Sequence, residues 1–295
     1  MNFDSDPSAG CAGAVSTTWV RRRDALRERL HAAHASGRPL VMGILNATPD
    51  SFSDGGQFDT TERALEHAAD MATAGADIID IGGESTRPGA VVLDADAERG
   101  RVVPVIEAIA RATPIATSVD TYKASTARAA VAAGAVMIND VGGLRRDAAM
   151  ASVMGETGAL AVLMHHRDEI TAELDILDDL RHFFDEALQC AERADVPRTH
   201  IVLDPGIGFG KTQAQNLACI AHLDVLRAAY DLPILLGLSR KSFLRRALDR
   251  AVDDRLGGTI GANLVGVVRG AAILRVHDVA AHVDAVRIQQ ILAEA

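Results

Sequence analysis

Eight short apolar runs, each rich in β-forming residues, recur along the chain, and a helical pattern follows each of them. The runs are VMGILN (41–46), IIDIGG (78–83), IATSVD (115–120), VMIND (136–140), ALAVLMH (159–165), IVLDPG (201–206), ILLGLS (234–239) and AILRVHD (272–278). Unbroken apolar runs, rather than alternating ones, are what strands covered on both faces show. Between them lie helical segments such as TTERALEHAADMATAGA, DAERGRVVPVIEAIARA and KASTARAAVAAGA. Strands that alternate with helices imply right-handed βαβ units and a parallel sheet. Eight such units over about 250 residues make an α/β fold of the (β/α)8, or TIM barrel, type. A doubly wound open sheet is the structural alternative, but no GxGxxG turn follows the first run. The barrel is expected as one domain over residues 39–295. Residues 1–38 are expected as a short N-terminal extension, small, polar and disordered over 1–18 and then a charged helix ending near Gly37.

Composition narrows the function classes. The net charge of −10 argues against a nucleic-acid partner, though not against a local cationic site. No apolar run reaches the roughly 18 residues of a membrane span, and the acidic start lacks the form of a secretory signal. The three cysteines, Cys11, Cys190 and Cys219, are too far apart for a disulfide framework or a metal motif, so a cytoplasmic protein is expected. Of the 30 Lys and Arg residues only three are lysine: Lys123, Lys211 and Lys241. A chain that otherwise writes Arg marks with Lys a place needing a compact ammonium. Lys211 and Lys241 follow predicted strands directly; for Lys123, drift in codon usage is an equal reading.

The chemistry collects at the carboxyl ends of the strands. In order these ends carry Asn46, Gly82–Arg87, Asp120, Asn139–Asp140, His165, Asp204, Ser239–Lys241 and Arg275–His277. Barrel strands converge there on one face, the face that holds the active site in such enzymes. A single aspartate at a strand end can be a helix N-cap, a single arginine a surface ion pair, and a single histidine a satisfied core residue. So many polar groups in one barrel mouth are costly unless they bind something. Asp120, Asn139 and Asp204 suit a flat heterocycle with N–H donors on its edge. Arg87, Lys241, Arg275 and His277 suit phosphate oxygens, helped by the SRKSF turn that opens a helix. A Schiff-base lysine competes with this reading. So does a two-metal hydrolase, although His165 and His166 are adjacent and should point apart. The Asn46–Phe58 segment, NATPDSFSDGGQF, is long for a strand-to-helix connection and reads as a functional loop hinged at Gly55–Gly56.

VMGILNATPDSFSDGGQF, GADIIDIGGESTRPGA, SVDTYKA, GAVMINDVGGL, LDPGIGFGKT, GLSRKSFL and LRVHDV together resemble dihydropteroate synthase, the pterin-binding enzymes of folate biosynthesis. The likeness runs in order from about Leu40 to the C-terminus. It implies a transferase that joins 7,8-dihydropterin-6-ylmethyl diphosphate to 4-aminobenzoate and releases pyrophosphate. It assigns Asp120, Asn139, Asp204 and Lys241 to the pterin. Asn46, Thr86, Arg275 and His277 fall to the diphosphate, and Asn46 also to its Mg2+. Phe52, Arg87, Pro88 and Ser242 border the 4-aminobenzoate site, where sulfonamides also bind. The catalytic set it implies is Asn46, Asp120, Lys241, Arg275 and His277, in a homodimer. Two departures stand out. After the fifth run the family usually shows His-Met-Gln-Gly, and here HHRDEI stands instead. Many relatives also begin with a β-hairpin where RRRDALRERL reads helical; at that end only stability or assembly should respond. A methyltetrahydrofolate-dependent methyltransferase shares the pterin-binding Asp and Asn positions but has no use for a diphosphate site. A non-catalytic pterin-binding paralogue is the other alternative.

Overall fold

The computed structural model describes residues 16–47, 57–84, 92–251 and 254–295. Helix α1 (Thr17–Ser36) precedes the barrel. The eight strands are β1 (Leu40–Asn46), β2 (Ile78–Gly82), β3 (Ala116–Asp120), β4 (Met137–Asp140), β5 (Leu160–Met164), β6 (Ile201–Asp204), β7 (Leu235–Leu236) and β8 (Ile273–Val276). Their order in the sheet is β6-β5-β4-β3-β2-β1-β8-β7, with every pairing parallel. A bridge between Leu203 and Ile234 brings the two ends together, so the sheet curls into a nearly closed barrel. All eight expected runs are strands, and β2 and β5 are buried along their whole length. Continuous burial follows from the helices outside and the packed interior within.

Helices α2 (Gln57–Thr73), α3 (Ala95–Ala112), α4 (Ala124–Ala133), α5 (Met150–Thr157) and α6 (Ile176–Arg193) separate the first six strands. Helices α7 (Gln213–Ala221) and α8 (Leu223–Tyr230) follow β6, α9 (Ser242–Leu248) and α10 (Leu256–Val268) follow β7, and α11 (Val279–Ala293) ends the chain. The α6 start shows how polar residues fix these boundaries, since the Asp175 carboxylate accepts from the Leu177 and Asp178 N–H groups. The helix after β1 begins at Gln57, so Phe58 is helical rather than the last residue of a loop. The rest of that expected loop lies almost wholly outside the described residues.

Helix α1 lies across the floor of the barrel, at the amino ends of the strands. It buries Trp19, Leu26, Leu30 and Ala33. Its polar groups then meet the segments that lead into successive strands. Arg29 pairs with Asp77, and Arg22 donates to Thr113 O at 2.8 Å. Trp19 Nε1 donates to Ala135 O at 2.8 Å and Arg23 to Gly158 O at 3.2 Å. His31 meets Thr199 O at 2.9 Å, and His34 meets Asp231 at 3.0 Å. Replacing Trp19 with alanine removes a buried ring and orphans a carbonyl, so it should cost about 3–5 kcal/mol of stability. Urea unfolding reads that loss, and kcat at 25 °C should hold at the wild-type value because the opposite face carries the chemistry.

Candidate active site

Arg275 stands at the centre of the mouth. Its Nε donates to Asp80 Oδ2 and its second terminal nitrogen to Asp120 Oδ2, both at 2.6 Å. Asn139 Nδ2 donates to the same Asp80 oxygen at 2.9 Å. Strand register explains the convergence. Gly82 pairs with Asp120 and Asp120 with Asn139, while Asp80 lies one layer deeper, opposite Ser118. Among the described residues, Asp80 Oδ1, Asn139 Oδ1 and Ser118 Oγ in these layers find no hydrogen-bond partner. Buried polar atoms are rarely left so without a ligand or water to meet them.

Asp80 is not a strand-end residue. It sits in the middle of an apolar run and is wholly buried. The available signal was the carboxylate itself, because an ionised group inside a strand covered on both faces requires a cation. Arg275 is that cation, and the two carboxylates hold its guanidinium well above its ordinary range against the opposing effect of burial.

Asp204 closes β6 and is buried, with Oδ1 accepting from Gly206 N at 2.7 Å. Burial raises its carboxyl pKa, while the charge of Lys241 and the Gly206 N–H pull it back. A Cβ at Gly237 would lie 3.7 Å from Asp204 Oδ2 and 3.9 Å from Arg275 Cδ, so a glycine there keeps open the space between them. Lys241 is the N-cap residue of α9, and its Nζ donates to Ile207 O and lies 4.4 Å from the centre of the Phe209 ring. Burial pushes its pKa down to about 7, opposed by Asp204. Burial likewise pushes Asp120 up to about 7, opposed by Arg275.

The remaining expected residues are more dispersed. His277 meets Ser239 Oγ through Nδ1 at 2.9 Å, and Arg240 grips Asp278 through two nitrogens at 2.6 and 3.1 Å. Ser242 is exposed in the first turn of α9, and Asn46 is exposed at the rim, at the end of β1. Phe52, Thr86, Arg87 and Pro88 lie outside the described residues. Asp140 serves its own turn, accepting from Gly142 N at 2.8 Å and Leu144 N at 2.7 Å. Lys123 does mark a place for a compact ammonium. It bridges Glu84 at 2.6 Å and the buried Glu98 at 3.2 Å, and Glu84 also accepts from Leu93 N at 3.0 Å. The two described ends of the 85–91 segment are thereby tied together.

His165 and His166 diverge. His165 is buried between Asp179 at 2.9 Å and Lys211 at 2.8 Å, and burial pushes its pKa down to about 3. His166 meets Arg146 at 2.9 Å and Asp168 at 3.2 Å, both exposed contacts. In HHRDEI, Arg167 donates to Asp179 at 2.8 and 3.0 Å, so this departure from the family pattern builds an ion-paired turn.

A parallel eight-stranded barrel whose mouth gathers buried carboxylates, an arginine and a lysine is an enzyme for a small polar substrate. The chain belongs to the pterin-binding enzymes: the model of that family, described as "Pterin binding enzyme", matches residues 42–277. The dihydropteroate synthase of Bacillus subtilis is 49% identical over 242 residues, which cover 82% of this chain and 84% of the relative. The structure of dihydropteroate synthase from Clostridium difficile in the presence of pteroic acid superposes with a TM-score of 0.84 at 44% identity, covering 88% of this chain and 98% of that one. The Xanthomonas albilineans dihydropteroate synthase with 4-aminobenzoic acid gives 0.83 at 44% identity, covering 88% and 94%.

Proposed function

We propose that this transferase joins 7,8-dihydropterin-6-ylmethyl diphosphate to 4-aminobenzoate, giving 7,8-dihydropteroate and pyrophosphate. The observation that carries this reading is the layer around Arg275. There Asp120, Asn139 and Asp80 meet beside unpartnered acceptor atoms, with Asp204 across the gap kept open at Gly237. Asn139 Oδ1 and the carboxylates of Asp120 and Asp204 are acceptors for the N–H edge of the pterin. Lys241 is a donor to it. Arg275 and His277, with Thr86, take the diphosphate. Phe52, Arg87, Pro88 and Ser242 border the aminobenzoate, and sulfonamides compete for that place.

In the reaction the carbon–oxygen bond to the diphosphate breaks and its electron pair leaves with the diphosphate. The neutral arylamine nitrogen bonds to the methylene carbon and releases a proton to solvent. Positive charge that develops on the pterin is offset by the fixed carboxylates of Asp120 and Asp204, in a site already shielded from water. Asn46 offers one hard amide oxygen at the rim, of the kind that suits Mg2+, and would hold the ion together with the substrate's phosphate oxygens. The inner carboxylates are already committed to Arg275 and Gly206 N, and among the described residues no group of three His, Cys, Asp or Glu could hold a metal without the substrate. When bound, the ion neutralises charge on the leaving group.

Pyrophosphate release in the presence of the pterin diphosphate and Mg2+, with and without 4-aminobenzoate, tests the reading. Release that requires the protein, yields dihydropteroate and is lost in Lys241→Ala supports it; a folded protein that forms no product refutes it.

The pH profile follows from two groups. Asp120 must be ionised to accept from the ring, so activity should fall as pH drops below about 7. Lys241 must be protonated to donate, so activity should fall as pH rises above about 7. A plot of kcat/KM, which reports the free enzyme, should be a narrow bell near neutrality. The same groups act on stability with opposite signs. The raised carboxyl of Asp120 favours the fold below its unfolded value, and that contribution is lost as pH rises to about 7. The lowered pKa of Lys241 favours the fold above its unfolded value, and that contribution is lost as pH falls to about 7.

A homodimer accords with the family resemblance and with the apolar residues Val265 and Val268, exposed on α10. Sedimentation of the purified protein decides it. A cytoplasmic setting accords with the free thiols of Cys190 and Cys219. Among the described residues no helix is long and apolar enough to cross a membrane.

A further inference from the structure

The reaction outlined above leaves one buried lysine without a task. Lys211 is only 4% exposed, and its Nζ donates to His165 Nδ1 at 2.8 Å, Gly206 O at 2.8 Å and Phe209 O at 3.2 Å. An ammonium has three N–H groups, and here three neutral acceptors receive them. The histidine stays neutral, and because Nδ1 faces the ammonium, the ring proton is on Nε2, directed at Asp179. Asp179 is held in turn by Arg167. A chain runs from Asp179 through His165 to Lys211, joining the end of β5 to the turn after β6.

That turn has little freedom. Gly206 and Gly210 have φ of +65° and +60°. A Cβ at Gly206 would come within 1.8 Å of His165 O, and one at Gly210 within 2.2 Å of Arg167 O. The turn therefore lies directly on the backbone of residues 165–167, and only glycine permits both the dihedrals and the approach. The same turn supplies two contacts to the site. Gly206 N donates to Asp204, and Ile207 O accepts from Lys241, whose Nζ also lies over the Phe209 ring. Two of the three acceptors of Lys211, Gly206 O and Phe209 O, flank Ile207.

We infer that Lys211 is a positioning residue for the pterin half of the reaction, clasping residues 205–210 onto His165 so that Asp204 and Lys241 are held in place. It touches no substrate. The inference rests on the function proposed above, and it is specific: the clasp reaches the pterin groups Asp204 and Lys241. A compact ammonium is needed, because the planar fork of an arginine cannot converge on three acceptors around one nitrogen.

The test compares wild type, Lys211→Met, Lys211→Arg and His165→Gln, with both substrates varied and with pteroic acid binding followed by calorimetry. The glutamine amide N–H stands in for Nε2–H towards Asp179, and it has no acceptor at the Nδ1 position that Lys211 uses. Misplacement of distant groups by about an ångström costs up to about a hundredfold. On that scale Lys211→Met should raise KM for the pterin diphosphate about 10- to 100-fold and weaken pteroic acid to match, with KM for 4-aminobenzoate within about twofold. Lys211→Arg should be as poor as Lys211→Met, and His165→Gln should move the same constants in the same direction. Unchanged pterin constants in folded Lys211→Met overturn the inference. So does an equal shift in both KM values accompanied by a lower melting temperature, which marks a purely structural role. Full rescue by arginine also overturns it. If Lys211→Met does not fold, His165→Gln decides by the same constants. A wild-type protein without turnover refutes the proposed function instead, and pteroic acid binding by the variants still judges the clasp.

Discussion

Replacing Asp204 with asparagine should lower kcat/KM for the pterin diphosphate by about a hundred- to a thousandfold. The substitution keeps the shape and the acceptor for Gly206 N, so the turn survives. It removes the charge that opposes burial at Lys241. Lys241 would then face Arg275 and Lys211, both of which already lower its pKa, with the charge of Asp120 still favouring its cation. The ring would also lose an ionised acceptor. A hydrogen bond to a charged group is worth about 1.5–3 kcal/mol, the lost charge beside Lys241 adds to that, and each 1.36 kcal/mol is a factor of ten in rate. Steady-state kinetics with both substrates varied reads the effect. A well-folded Asp204→Asn protein within tenfold of wild type would exclude Asp204 from the pterin contacts.

Arg275→Met should be both inactive and much less stable, by about 3–5 kcal/mol. Here the loss comes from the two carboxylates left behind. Asp80 is wholly buried and Asp120 nearly so, and both rely on the guanidinium. Without it the carboxyl of Asp120, already raised by burial, rises further, so folding must take up a proton that the unfolded chain would not hold. Raised carboxyl pKa values favour the fold at low pH and cost stability as pH rises. Arg275→Met should therefore recover part of its deficit between pH 7 and pH 5, where wild type changes less. Urea midpoints at the two pH values read the difference. Adding Asp80→Asn to Arg275→Met should restore some stability at neutral pH, and a double variant weaker than the single one would contradict this account.

The barrel was legible because its strands are covered on both faces, which leaves eight unbroken apolar runs. The mouth was legible because Asp120, Asp204, Lys241 and Arg275 stand at the ends of those runs. What escaped notice was one layer deeper. Asp80 lies within IIDIG, where the apolar neighbours mask a carboxylate that only a distant arginine, Arg275, explains. Of the six residues of the β7 run, Ile234 bridges to Leu203 and Leu235–Leu236 pair with β8, and the chain then turns away through Gly237 towards Arg240, whose φ is +59°. The role of Lys123 depended on Glu84 and Glu98, from two other segments, and no local pattern announces such a bridge. The α1 segment reads only as a charged helix, yet Arg22 and Arg23 donate to backbone carbonyls of the barrel, which carry no sequence signature.

The placement of α1 has a consequence for the order of assembly. The helix leaves the ribosome before any strand, yet its partners extend from Asp77 to Asp231. At about 5–20 residues per second, roughly 200 residues more must be made before the last of these partners exists, a wait on the order of 10–40 s. Most helical stability comes from tertiary packing of a buried face, so α1 is made before any strand and is among the last elements to be seated. Its docking is then a seal on a finished barrel, and a nascent chain stalled before β7 should still expose Trp19 to solvent.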